Sequence, residues 1–247
     1  MSFGKIKNNA LYELKYGLID NAKRFKKTAI ELKDFAGRAM LYMELAEYGV
    51  ELPKEPDELT EITELDLSNK GIDKLPTGIG HLPSLSVLFL SGNNFTKFPK
   101  EIENLTLLTV LDLSRNNLSK IPKEIETLNY LTYLNLSHNN LTKLPKQIGT
   151  LNFLSYFDLS HNNLTKLPKQ IADLNYLIEL NLNYNNIRNT DFISRIQRRC
   201  RSNKDNEDRI ATILKEQIIQ RILDDHAHLG ITKADFMEEF NKYKSGK

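Results

Sequence analysis

The residues that could carry out chemistry are few, and they are scattered along the 247-residue sequence. Cys200 is the only cysteine, so the chain can form no internal disulfide and no zinc site built from several cysteines. His138 and His161 lie 23 residues apart and, together with Asp158, could hold a metal ion. The segments around the two histidines are nearly identical, however, so copying of a repeat explains the pair with fewer assumptions. We therefore predict no metal site.

Other catalytic and ligand-binding motifs are missing from the sequence. Residues 225–236 match a calcium-binding loop only at Gly230, because Ala227, Leu229 and Phe236 occupy positions that require ligands. The sequence has no glycine-rich phosphate loop, no nucleophile elbow and no paired acid and base. We therefore expect a protein that is not an enzyme and that uses no cofactor.

One short segment carries a dense cluster of positive charge. The net charge of the whole chain is only +2, which gives no general attraction to nucleic acid or membrane surfaces. The cluster could bind nucleic acid, phosphate or an acidic partner, but no nucleic-acid-binding motif accompanies it. A solvated helix face is the simpler interpretation, and we do not expect nucleic acid as a partner. The possible basic patch comprises Arg195, Arg198, Arg199, Arg201 and Lys204.

A repeat of 23 residues occupies most of the sequence and must position these side chains. The copy at 131–153 reads LTYLNLSHNNLTKLPKQIGTLNF, and the copy at 154–176 reads LSYFDLSHNNLTKLPKQIADLNY. Three more copies precede them from residue 62, and LIELNLNYNNI opens an incomplete sixth copy at 177. Residues 52–61 match the second half of a copy. This periodicity indicates stacked structural units that share one continuous core.

The pattern within each copy predicts its local structure. Leu134 and Leu136 alternate as in a strand that points them inward, and strands of successive copies would form a parallel sheet with a spacing of about 4.8 Å. Asn139 follows the strand, where its amide can satisfy buried backbone groups. Pro145 favours an extended descent, and Ile148, three residues later, begins a spacing typical of a 3₁₀ turn on the opposite side.

The outward-facing strand positions are not needed for the core, which makes them the candidate partner-binding residues. They combine apolar, aromatic and acidic side chains, and a contiguous exposed apolar surface is uncommon without a binding role. Aromatic and β-branched residues also suit strands for structural reasons, so no single position is diagnostic. The predicted binding face comprises Val87, Phe89, Val110, Asp112, Arg115, Tyr133, Asn135, His138, Tyr156, Asp158, His161 and Tyr184.

Both ends of the array are predicted to be helical. Residues 8–48 carry apolar side chains at helical spacing, Met40 among them, and are expected to cap the first repeat, with a partner-binding helix pair as the alternative. Beyond the sixth copy, Thr190 is predicted to cap a helix, Ser202–Asn206 to break it, and Thr232 to open a last helix. The expected organisation is a helical cap at 1–51, a repeat solenoid at 52–189 and a helical cap at 190–247.

The segment 52–189 resembles the leucine-rich repeat superfamily, and it looks most like the 23-residue class of intracellular bacterial, plant and Ras-associated proteins. This resemblance implies an α/β solenoid with a concave parallel sheet and a role in protein–protein interaction. Some bacterial members of this superfamily are ubiquitin ligases with a catalytic cysteine. Cys200 lies in RRCRSN, lacks the Cys-x-Asp pattern and is followed by too short a domain, so this activity is not expected.

We therefore expect a non-enzymatic recognition module that binds a protein partner through the concave face of the solenoid. The alternative is a bacterial effector, or a regulator directed at a phage or a host, whose terminal helices carry the activity while the repeats serve as a scaffold. The N-terminus lacks the apolar core of a secretory signal, and no apolar run approaches the ~18 residues that a membrane span requires. A cytoplasmic location without membrane contact is expected.

Overall fold

The computed structural model of the chain describes residues 29–53, 59, 61–188, 192–225, 232 and 234. Several sequence-based predictions fall outside this part of the chain. They concern the first portion of the N-terminal helical region, the capping role of Thr190, the segment with the partial calcium-loop match and the last predicted helix beyond residue 234.

The described residues contain one parallel sheet, in which the strands follow one another in chain order. Each strand pairs with the strand of the next copy at an offset of one repeat, so Val87 stands beside Val110, and Val110 beside Tyr133. Equivalent side chains therefore form rows across the sheet, and the predicted α/β solenoid with a concave parallel sheet is confirmed. The strands are β1 (Glu64–Asp66), β2 (Val87–Phe89), β3 (Val110–Asp112), β4 (Tyr133–Asn135), β5 (Tyr156–Asp158) and β6 (Glu179–Asn181).

Short 3₁₀ helices on the opposite side connect the strands, as the sequence predicts. A proline precedes each of them, with φ between −52° and −75°, because its ring fixes this angle and it has no N–H to leave unpaired. Each helix ends at a leucine whose N–H donates a hydrogen bond to the carbonyl oxygen of the helix isoleucine, as from Leu128 to Ile125 at 3.1 Å. They are η1 (Thr77–His81), η2 (Lys100–Asn104), η3 (Lys123–Thr127), η4 (Lys146–Thr150) and η5 (Lys169–Asp173).

One hydrophobic core fills the space between the sheet and the 3₁₀ helices, and it extends from Leu41 to Cys200. Leu134 and Leu136 are fully buried, as are the isoleucines of the 3₁₀ helices. A fully buried aliphatic side chain stabilises a fold by about 1.5–3 kcal/mol, so these repeated positions are the main source of stability.

A ladder of buried asparagines forms hydrogen bonds with backbone groups where each strand ends. The side-chain amide of Asn116 donates to the carbonyl oxygens of Leu90 at 2.9 Å, Leu113 at 3.1 Å and Ser114 at 3.0 Å. Its Oδ1 accepts from the N–H of Phe95 at 3.1 Å. The predicted structural role of these asparagines is confirmed, and the same pattern recurs at Asn93, Asn139, Asn162 and Asn185.

Helix α1 (Ala29–Glu47) packs on the first repeat. Leu41 and Leu45 enter the core, whereas Met40 is 48% exposed, so the prediction that Met40 lies on the packed face is wrong. The helix approaches η1 closely. A Cβ added at Gly78 would lie 2.3 Å from the carbonyl oxygen of Gly37, and only glycine fits there.

Helices α2 (Ile193–Lys204) and α3 (Glu207–Asp225) follow the last strand. Ile193, Ile196 and Cys200 of α2 are buried on the open end of the core. The predicted break at Ser202–Asn206 is too wide, because α2 continues to Lys204 and only two residues separate the helices. Burial raises the pKa of the Cys200 thiol, which disfavours the reactive thiolate and agrees with a packing role for this residue.

Candidate functional site

The first row of outward side chains crosses β2 to β5. Val87, Val110, Tyr133 and Tyr156 stand side by side in the strand register, and each of them is half-buried. The rings of Tyr133 and Tyr156 lie 6.4 Å apart between centroids, with an angle of 38° between their planes. The row thus forms an apolar and aromatic band on the sheet face.

The second row has a structural role at most of its positions. Asp112 accepts a hydrogen bond from the N–H of Ser114 at 2.8 Å, and its other carboxylate oxygen accepts from the side-chain amide of Asn135 at 3.3 Å. Asn135 and Asp158 each accept from the N–H two residues further on, at 3.0 and 2.8 Å. Phe89 occupies the same row, but its side chain has no oxygen that could accept a hydrogen bond from the backbone. It contributes apolar surface beside Val87 instead.

Acidic groups surround Tyr133 and make this part of the face negative. Burial is the main cause that raises the pKa of the Tyr133 phenol, and the carboxylates of Asp112, Asp158 and Glu179 raise it further. A hydrogen bond with Asn135 acts in the opposite direction. Partner atoms that approach Tyr133 therefore enter a negative field, which favours a basic group.

The phenol of Tyr156 is already engaged in a contact within the chain. Its phenol donates a hydrogen bond to the carboxylate of Glu207 at the start of α3, and the ammonium of Lys204 lies 5.9 Å from the centre of its ring. Lys204 also pairs with Glu207 at 3.0 Å. The C-terminal helices therefore hold one end of the predicted binding face.

A third row lies where the chain turns out of each strand. Arg115, His138, His161 and Tyr184 all have positive φ, from 52° to 57°, a conformation that few non-glycine residues adopt. The imidazoles of His138 and His161 stack at 4.0 Å between centroids, and Tyr184 stacks on His161 at 4.0 Å. Burial, His161 and Arg115 lower the pKa of His138, in that order. Tyr184 is 75% exposed, so the row ends in an open aromatic surface.

A fourth row, at the last position of each repeat, was missed by the sequence reasoning. Tyr130 and Phe153 stack at 6.3 Å with nearly parallel rings, and Ile210 of α3 is buried against them. The side-chain amide of Gln217 in α3 donates to the phenol oxygen of Tyr176 at 3.1 Å. The sequence did contain a signal for this row, because large apolar residues recur at a position that the core does not use. This row, comprising Leu107, Tyr130, Phe153 and Tyr176, is the docking surface of α3.

The predicted basic patch is divided by the fold. The guanidinium of Arg199 turns inward and donates to the carbonyl oxygens of Ala172 and Leu174, both at 2.9 Å. Lys204 faces Tyr156 and Glu207. Arg195, Arg198 and Arg201 are exposed.

The chain matches two family models that together span the repeat array. One describes a leucine-rich repeat region and matches residues 110–205, and the other describes a leucine-rich repeat and matches residues 60–118. The chain is a leucine-rich repeat protein.

Two solved structures from bacteria are similar to parts of it. A leucine-rich repeat protein of Leptospira interrogans is 42% identical over 53% of this chain and 33% of its own length, with a TM-score of 0.51. InlP of Listeria monocytogenes is 35% identical over 51% of this chain and 35% of its own, with a TM-score of 0.46. This leucine-rich repeat protein thus spans about a third of the length of each. A search of the curated proteins gave no significant match.

The described residues of this leucine-rich repeat protein contain no group of three or more His, Cys, Asp or Glu side chains that could hold a metal ion. In particular, His138 and His161 stack on each other and on Tyr184. None of the helices in the described part of the chain combines the length and the apolar character needed to cross a membrane.

Proposed function

We propose that this leucine-rich repeat protein is a non-enzymatic recognition module, and that it binds a protein partner at an apolar patch on its concave face. The patch comprises Val87, Phe89, Val110 and Tyr133. The observation that carries the proposal is their arrangement, because Val87, Val110 and Tyr133 stand in register on three neighbouring strands. Phe89 follows Val87 by two residues on the same strand, and all four residues keep part of their surface exposed. Contiguous apolar surface with an aromatic member is typical of interface hot spots.

The surroundings of the patch support a partner with a particular chemistry. The acidic groups near Tyr133 lie at the β3–β6 side of the patch, whereas Val87 and Phe89 lie at the β2 side. A partner segment that places an apolar side chain near Phe89 and a lysine or arginine near Asp112 would match both regions. The cytoplasmic location stays a prediction from the sequence.

Site-specific crosslinking would identify the partner and test the patch. A photoreactive phenylalanine analogue at position 89 is expected to capture a protein that the same analogue at Lys143, an exposed position outside the strands, does not capture. The partner is then purified, and its affinity is measured for the wild type, for a Phe89→Ala/Tyr133→Ala variant and for a Lys143→Ala/Lys166→Ala control.

The double substitution is expected to weaken binding by about tenfold or more, because truncation of a hot-spot side chain costs about 2 kcal/mol or more. The lysine control should bind like the wild type. Equal affinity of the double variant, combined with loss of binding when residues 207–247 are deleted, would contradict the proposal. It would instead favour the alternative function, in which the terminal helices carry the activity and the repeats serve as a scaffold.

A further inference from the structure

Within the described part of the chain, β6 is the last strand of the sheet, and backbone donors just beyond it have no hydrogen-bond acceptor. In the fifth repeat, the N–H groups of Leu159 and His161 donate to carbonyl oxygens of the sixth copy, both at 2.9 Å. The N–H of Leu164 donates to the side-chain Oδ1 of Asn185 at 3.0 Å. Every inner repeat binds the next one in this way, through two carbonyl oxygens and one side-chain acceptor.

The equivalent donors of the sixth copy are the N–H groups of Leu182, Tyr184 and Ile187. No described residue accepts a hydrogen bond from any of the three. An unpaired strand edge is a template for another strand, because its backbone groups are already held at the spacing of a sheet.

A groove of about 520 Å³ runs along this edge. Its lining includes Leu182 and Ile187 from the last copy and Ile193 and Gln197 from α2. Helix α2 contacts β6 and covers the end of the core. The groove between them is mostly polar, because Glu179, Asn181, Asn183 and Asn185 also line it, with the apolar side chains among them. The space therefore suits a chain that alternates apolar and polar side chains.

We propose that this edge binds an extended segment of a partner protein, which adds to the sheet as a seventh parallel strand. The segment would carry the pattern apolar-x-apolar-x-x-Asn or apolar-x-apolar-x-x-Asp. The two apolar side chains continue the rows of Leu180 and Leu182, and the asparagine or aspartate oxygen accepts from the N–H of Ile187. This surface is separate from the apolar patch on the concave face, and the two proposals can fail independently.

A second copy of this chain is a poorer match for the edge. The first repeat has Lys70 where the later repeats have the ladder asparagine, and an ammonium group cannot accept the hydrogen bond from Ile187. Helix α1 also packs on that end of the array, where Leu41 and Leu45 are buried in the core.

A peptide with the sequence of residues 131–141, LTYLNLSHNNL, serves as the probe, because it contains the required pattern. Amide hydrogen exchange is measured by NMR on the full chain with and without the peptide. Saturating peptide is expected to slow exchange at Leu182, Tyr184 and Ile187 by about tenfold or more. A peptide with Asn139→Ala should protect the first two amides and leave Ile187 fast, and a peptide with Leu134→Lys and Leu136→Lys should not bind.

Two matched variants locate the site. Gln197→Trp places a bulky ring at the groove and is expected to abolish peptide binding, whereas Arg198→Trp adds the same bulk one residue along α2, outside the groove, and should leave binding unchanged. Absence of peptide binding to the wild type overturns the proposal. So does binding that Phe89→Ala/Tyr133→Ala removes, which would place the peptide on the concave patch. Self-association of the chain is measured by sedimentation. If the chain self-associates and Gln197→Trp abolishes this, a second copy is the occupant, and the proposal is overturned as well.

Discussion

The phenol of Tyr156 donates a hydrogen bond to the carboxylate of Glu207, 51 residues further along the chain. This bond joins the concave sheet to the first residue of α3. The contact is reinforced by Lys204, whose ammonium pairs with Glu207 and lies near the Tyr156 ring. Tyr156 therefore belongs to the contact between the repeats and the C-terminal helices, and its neighbour Tyr133 belongs to the proposed patch.

Loss of this hydrogen bond should loosen α3. Tyr156→Phe removes the donor and keeps the ring, so we expect the α3 amides to exchange about two- to tenfold faster, the range expected for one net hydrogen bond. Ile210→Ala should have a larger effect, because it removes the α3 side chain that is buried against the docking surface. Tyr133→Phe is the matched control and should leave α3 exchange unchanged. Unchanged exchange in Tyr156→Phe would mean that α3 docks without this bond.

Alkaline pH should release the same contact. The hydrogen bond to Glu207 and, next, burial raise the pKa of Tyr156 to about 12. Because the folded-state pKa lies above the unfolded value of 10.0, the contribution to stability is complete below pH 10 and is lost as the pH rises towards 12. Subtracting the 295 nm absorbance titration of Tyr156→Phe from that of the wild type should give a midpoint near pH 12. When both proteins also carry Glu207→Gln, the midpoint of this difference should move towards pH 10. A midpoint near 10 in the wild-type background would contradict the assigned bond.

The asparagine ladder should be essential for stability at each inner position. Asn139→Ala leaves the N–H of Leu118 without its acceptor, and it removes one of the two side-chain amides that donate to each of the carbonyl oxygens of Leu113 and Leu136. A buried N–H left unpaired costs about 1–3 kcal/mol, so urea unfolding should show a loss of about 1–3 kcal/mol in the free energy of unfolding. Asn140→Ala changes an exposed neighbour and should stay within about 0.5 kcal/mol of the wild type. Similar losses for both variants would argue against the ladder.

The close contact between α1 and η1 gives a steric prediction. Gly78→Ala would place its Cβ 2.3 Å from the Gly37 carbonyl oxygen and 2.8 Å from Leu41 Cβ, so α1 must shift. We expect a loss of about 1–3 kcal/mol in the free energy of unfolding and faster exchange in α1. At Gly80, the nearest atom to an added Cβ is Asn104 Cβ at 4.0 Å. Gly80→Ala is therefore the control, with little or no loss expected, and a tolerated Gly78→Ala would show that α1 does not pack as described.

Much of the fold could be predicted from the sequence because the repeat assigns the same role to the same position in every copy. The alternating leucines gave the strands and their inward faces, and the recurrent asparagine gave the strand ends. Proline before each 3₁₀ helix marked the opposite side. These contacts are between neighbouring copies, so one period of 23 residues contains most of the information.

The candidate site was harder to predict from the sequence, since its residues are those that the periodic pattern does not constrain. The prediction treated Tyr133 and Tyr156 alike, as they occupy the same position in adjacent copies. It also treated the arginines near Cys200 as one cluster, although Arg199 turns back to bind carbonyl oxygens of the last 3₁₀ helix. Both differences arise at the C-terminal end, where the pattern stops and helices return over the sheet.

The sequence by itself determined the repeat, the parallel register and the separation of core positions from outward positions, because these follow from local periodicity. Only the tertiary structure decided which outward positions stay open. The contact of Glu207 with Tyr156, the docking of Ile210 on Tyr130 and Phe153, and the unpaired edge beside Leu182 all depend on where α2 and α3 lie. Helix placement depends on contacts between residues far apart in the chain, and a repeat pattern carries no record of them.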